Sequence, residues 1–138
     1  MNLGKMIKVL DNNHDGIIVN MEKEINDLNI DVEIRYLAKY IDETFAIMKY
    51  KIINFREIKF LLDDEIGNCE LNEIKKRKLV IQDAEIGKNH SLLINVWHNT
   101  SRKGKLYIWA NYENDIKIYD QKNNEIEYDR FLSICRRK

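Results

Sequence analysis

Across residues 105–112 the side chains alternate strictly, with Leu106, Ile108 and Ala110 on one side and Tyr107, Trp109 and Asn111 on the other. A repeat of two is the repeat of the β-pleat, so this run is expected to be a strand whose two faces meet different surroundings. Similar runs at 78–82, 91–98 and 116–119 are separated by turn-forming clusters, and the short polar link 99–104, ending in Gly104, suits a hairpin. The second half therefore predicts an antiparallel meander.

The first half reads as helical. Ile34, Leu37, Ala38, Ile41 and Phe45 recur at spacings of three and four, which predicts a helix over 32–46 with Asp31 as its N-cap. A shorter helix is expected over 20–28, a strand over 50–55, a helical or irregular region through Arg77, and a closing helix over 128–136 carrying Phe131, Leu132 and Cys135. The expected class is α+β: N-terminal helices packed on a C-terminal antiparallel sheet of four to six strands, with a closing C-terminal helix. The 138 residues contain no proline, repeat or low-complexity linker, so residues 1–138 read as a single domain large enough to bury a core without staples.

Charge narrows the partners. Lys plus Arg and Asp plus Glu both number 23, so no overall field draws the chain to nucleic acid or to an anionic membrane. No segment has the apolar length of a membrane span, and the N-terminus lacks a secretory signal. Cys69 and Cys135 form no C-x-x-C pair, which fits a reducing compartment and gives cytoplasm as the expected location.

Residues 11–22 match the calcium-loop pattern D-x-[DN]-x-[DN]-G-x5-E at every fixed position. That reading supplies oxygen ligands from Asp11, Asn13, Asp15, the Ile17 carbonyl and a bidentate Glu22, with Gly16 making the turn, and implies Ca2+ as a cofactor; outside that reading none is expected. Leu3, Met6, Ile7 and Leu10 give the entering segment a helical apolar face. The exiting half is less suited: Lys23, Asn26 and Asp27 stand where a second helix needs apolar residues, and loop position nine is Val19. The competing reading is strand, turn and strand, with a polar turn over 12–16 followed by the β-branched Ile17, Ile18 and Val19.

Catalytic constellations are sparse. Asp63 or Asp64 with Glu73-Ile74-Lys75 loosely resembles a metal-dependent nuclease or hydrolase set, yet a Glu-x-Lys triplet also occurs at Glu57-Ile58-Lys59. His14, His90 and His98 are scattered, and the five glycines form no phosphate-cradling loop.

The run Gly104-Lys105-Leu106-Tyr107-Ile108-Trp109, the strand after it and the closing helix with Phe131-Leu132 resemble the second half of the SUKH superfamily, which includes bacterial toxin-immunity proteins and yeast cell-wall synthesis regulators. Glu24, Leu28-Asn29-Ile30, Ile34 and Leu37 are similar to that superfamily's opening helix pair, so the resemblance spans about residues 20–136. Asp31 stands where members usually have proline, and Asp42-Glu43-Thr44 where an Asn-Gly-Gly ending is common. The resemblance implies a non-catalytic domain that binds a protein partner, commonly a bacterial toxin neutralised in the producing cell. Candidate binding residues are the aromatics Tyr107, Trp109, Tyr112 and Tyr119, which either face solvent or form a face buried under helices. Asp63, Asp64 and Glu65, with Glu70 and Glu73, offer an acidic patch for a cationic partner or a solvated surface. The calcium module and the metal-dependent hydrolase are the two alternatives.

Overall fold

The computed structural model describes residues 2–62, 71–74, 77–98 and 102–137, with backbone alone at 72 and 73. Helix α1 (Leu3–Asp11) leads into strands β1 (Ile17–Glu24) and β2 (Asp27–Glu33), a single helical turn α2 (Arg35–Ala38) and the long strand β3 (Ile47–Leu62). The turn α3 (Leu71–Ile74) precedes β4 (Leu79–Gly87), β5 (Ser91–His98), the 18-residue β6 (Arg102–Tyr119), the short β7 (Glu125–Ile126) and helix α4 (Tyr128–Cys135). The class is α+β with an antiparallel sheet, as the alternation implied, but the sheet has seven strands rather than four to six.

Most of β1 and the two ends of β2 lie where helices were expected, over 20–28 and 32–46, whereas β3 contains the strand expected over 50–55 and extends it at both ends. Residues 28–33 alternate Leu28, Ile30 and Val32, all fully buried, with the polar Asn29, Asp31 and Glu33. The helical reading of 20–28 rests on Met21, Ile25 and Leu28, four and three apart; Met21 and Leu28 are buried on β1 and β2, and Ile25 is the exposed turn residue between them. A β-bulge between Ile18 and Asn20 keeps Ile18 and Met21 together on the buried face of β1. The helix expected over 32–46 shrinks to α2, and Asp31 is a strand residue rather than an N-cap. Leu37 and Ala38 are buried there, and the chain then turns at Asp42, whose carboxylate accepts from the Thr44 amide at 2.8 Å and its hydroxyl at 2.7 Å. The opening helix pair implied by the resemblance is thus a β1–β2 hairpin.

Pairing runs β3-β2-β1-β4-β5-β6-β7, and β3 also pairs with β6, so the first six strands form a closed ring. The closing seam is narrow: β1 meets β4 only at Ile17↔Val80 and Ile18↔Leu79. The opposite side is extensive, because β3 and β6 run together from Leu62↔Gly104 to Lys49↔Tyr119, bending at register shifts around Ile53 to Glu57. Gly104 is required at that ladder, since a Cβ there would lie 2.8 Å from Cε1 and 2.9 Å from Cζ of the fully buried Phe60.

One core fills the ring. Leu106 and Ile108 join Phe60, Ile94, Val96, Ile30, Met48 and Ile52, each at 2 % exposure or less. Helix α1 packs on β4, β5 and β6 through Met6, Val9 and Leu10, and α4 inserts Phe131 edge-on against Tyr50 with ring centroids 6.1 Å apart. Burying a side chain of this kind contributes about 1.5–3 kcal/mol. Among the described residues no helix is long and apolar enough to cross a membrane.

Candidate functional site

Because Leu106 and Ile108 point into the core, the alternation on β6 sends Tyr107 and Trp109 to the outer face of the sheet, opposite Lys59 and Glu57 of β3. Their rings stack, with centroids 5.8 Å apart and planes 20° from parallel. Lysines lie over this surface: Lys59 above Trp109 at 5.9 Å, Lys88 above Tyr107 at 4.8 Å and Lys103 above Trp97 at 5.0 Å. Each such contact is worth about 0.5–1 kcal/mol when exposed. Glu57 lies 3.8 Å from the Lys59 ammonium. Trp109 is itself only 5 % exposed, so it serves as the clamp beneath this layer, and the half-buried Tyr107 and Trp97 are the rings a partner can reach. Trp97 was not singled out from sequence; its place beside Lys103 follows from the Trp97↔Lys103 pairing of β5 with β6.

Tyr112 and Tyr119 stand apart from that pair. Between Ala110 and Asp115, β6 carries a bulge that β3 answers with Asn54 alone, which hydrogen bonds through its amide to the Glu113 carbonyl. Tyr112 crowns the bulge at 81 % exposure. Asn54 also donates its backbone amide to Asp27 Oδ1 at 3.1 Å, and Phe55 N donates to the Asn26 carbonyl at 2.8 Å. The β1–β2 turn, with Ile25 at 85 % exposure and φ 56°, is thereby drawn to the same corner as Tyr112.

Tyr119 lines a polar groove of about 360 Å³ on the outer face of β1, β2, β3 and β6, together with Asn20, Glu24, Asn29, Asp31, Lys49, Lys51 and Asn123. Asn29 donates to Glu24 at 2.7 Å, Lys49 to Asn123 at 3.0 Å, and Lys51 sits 4.0 Å from Glu24 and 5.9 Å from the Tyr119 ring centre. Burial pushes the Asp31 carboxyl above its ordinary value, opposed by the Lys49 charge and a long 3.5 Å hydrogen bond from Asn20. The buried Asp120 accepts from the Lys122 and Asn124 amides and so fixes the turn that carries Asn123 over the groove.

The 11–22 segment is helix, turn and strand, combining the helical entrance of one reading with the strand exit of the other. It zips the seam. Asp11 accepts from the Ala84 amide at 3.0 Å, His14 bonds the Gln82 carbonyl at 2.6 Å, and the Asp15 amide and Gly16 carbonyl pair with Ile81 at 2.8 Å each. These contacts satisfy the β4 edge where β1 diverges from it. Asn13 is fully buried: its amide donates to the Val9 carbonyl at 2.9 Å, and its oxygen accepts from the Tyr50 hydroxyl at 2.7 Å. Burial holds the Tyr50 phenol well above its ordinary value, so it remains a donor. Ile17 lies in the sheet ladder and Glu22 pairs with Asn29 on the strand, so the five calcium-pattern residues are engaged separately and do not converge. Among the described residues no group of three or more His, Cys, Asp and Glu is placed to hold a metal ion.

Asp63, Asp64, Glu65 and Glu70, and the Glu73 side chain, lie outside the described residues. Of the histidines, His14 and His90 are exposed and His98 is buried. No family model matches the chain, and neither the curated proteins nor the solved structures give a match.

Proposed function

We propose that this chain is a non-catalytic protein-binding domain that presents the outer face of the β3–β6 ribbon, and that its role is of the immunity type, binding and neutralising a toxin domain. The observation that supports the reading is the division of β6: Leu106 and Ile108 anchor the core while Tyr107, clamped on Trp109 and flanked by Lys59 and Lys88, is held on the opposite side. Rigid aromatics on a sheet supply binding energy at little entropic cost, and lysines around them steer an acidic partner surface. The described face thus favours acidic complementarity in the partner. The immunity role itself comes from the resemblance carried by residues 104–109 and the closing helix.

The experiment is co-expression with the product of the reading frame immediately upstream. The chain should form a complex with that product and restore growth, and the pair Lys59→Glu with Lys103→Glu should remove both effects while the chain stays folded, its melting temperature lowered by no more than about 8 °C. Absence of complex and of protection overturns the immunity role. Complex formation indifferent to the two charge reversals overturns the assigned face.

A further inference from the structure

We infer that the groove over β1, β2, β3 and β6 is a binding site for an uncharged saccharide ring. Its volume of about 360 Å³ is in the range of small-molecule sites. Two carboxylates, Glu24 and Asp31, are balanced by two ammonium groups, Lys49 and Lys51, so the groove selects neither a cation nor an anion. What it offers is a dense set of planar donors and acceptors: the amides of Asn20, Asn29 and Asn123 beside those carboxylates. Vicinal hydroxyls, each both donor and acceptor, complement such a set, whereas a lipid or a purely apolar ligand makes no use of its polar groups and cuts them off from water. The wall contributed by Tyr119 supplies a ring face against which sugar C–H groups can lie.

Asp31 is the residue that points to a ligand. It sits on the central strand of this face, half buried, with Lys49 directly opposite in the ladder. Yet the Lys49 ammonium reaches Asn123 at 3.0 Å instead, and among the described residues the hydrogen bond to the Asp31 carboxylate, from Asn20, is 3.5 Å long. A half-buried carboxylate with so weak a donor gains from another, and a sugar hydroxyl in the groove would be that donor. This site is separate from the Tyr107 face.

The test is a titration of the isotopically labelled chain with glucose, galactose, mannose and N-acetylglucosamine, each up to roughly 20 mM, followed by amide chemical shifts. At least one sugar should give saturable shifts at Asn20, Asn29, Asp31 and Tyr119, and Asp31→Asn should weaken binding about tenfold, equivalent to about 1.4 kcal/mol. Tyr119→Ala, a second variant that leaves the Asp31 ladder intact, should weaken it similarly. If none of the four sugars moves these amides, or if the shifts fall on Tyr107 and Trp97 instead, the inference fails. Shifts unaffected by either variant also overturn it.

Discussion

Replacing Asn13 by Ala separates a seam built for closure from a loop built for an ion. The substitution removes two hydrogen bonds at a fully buried position and leaves the Tyr50 hydroxyl and the Val9 carbonyl without these partners. An unsatisfied buried group costs about 1–3 kcal/mol, so the loss should be about 2–4 kcal/mol, a large share of a typical 5–15 kcal/mol. With a urea slope of about 1.5 kcal/mol/M, the unfolding midpoint should fall by about 2 M. Tyr50→Phe strands only the Asn13 oxygen and should cost about 1–2 kcal/mol. The double variant should cost less than the sum by about 1 kcal/mol, because the two side chains share one bond. All three should be indifferent to calcium. The reasoning is refuted if Asn13→Ala costs less than about 0.5 kcal/mol, or if calcium raises the melting temperature of the parent chain and Asn13→Ala abolishes that rise.

Two further outcomes follow from the backbone and the groove. Ile25 is β-branched, 85 % exposed and held at φ 56° in the β1–β2 turn, a position suited to glycine, so Ile25→Gly should relieve strain, lose no burial and raise stability by about 1 kcal/mol in urea unfolding. A destabilised Ile25→Gly chain contradicts this. Asp31 has its carboxyl raised in the folded chain above the ordinary 3.8, chiefly by burial, so its ionised form costs stability above the folded pKa, and that cost fades as pH falls through the folded pKa toward 3.8. Asp31→Asn should therefore be more stable than the parent at neutral pH, with the difference shrinking on acidification between about pH 7 and 3; a difference independent of pH contradicts the burial argument.

The strands of the second half were legible because Leu106, Ile108 and Ala110 alternate without interruption, and α1 and α4 because their apolar residues keep helical spacing. The first half misled for a local reason. One bulge at Val19 breaks the alternation of β1, and Met21, Ile25 and Leu28 fall at helical spacing although a turn separates them onto two strands, which hides the true alternation of Leu28, Ile30 and Val32. Ring closure was invisible, since it depends on β3 pairing with β6 across more than forty residues. At the candidate site the alternation of β6 marks Tyr107 and Trp109 as sharing a face, but Trp109 as a clamp, Trp97 as a neighbour and the lysines above the rings need the cross-strand register. Asp31 was noticed only as a helix cap, because the groove forms from four strands that no local window contains.

The most direct test sets Tyr107→Ala against Ile108→Ala, adjacent residues assigned to opposite faces, and measures both urea stability and affinity for the upstream gene product. Ile108→Ala should cost about 2–5 kcal/mol of stability, with affinity retained while folded; Tyr107→Ala should cost about 1 kcal/mol of stability and weaken binding at least tenfold. Equal stability losses, or a Tyr107→Ala chain that binds as tightly as the parent, would contradict the account.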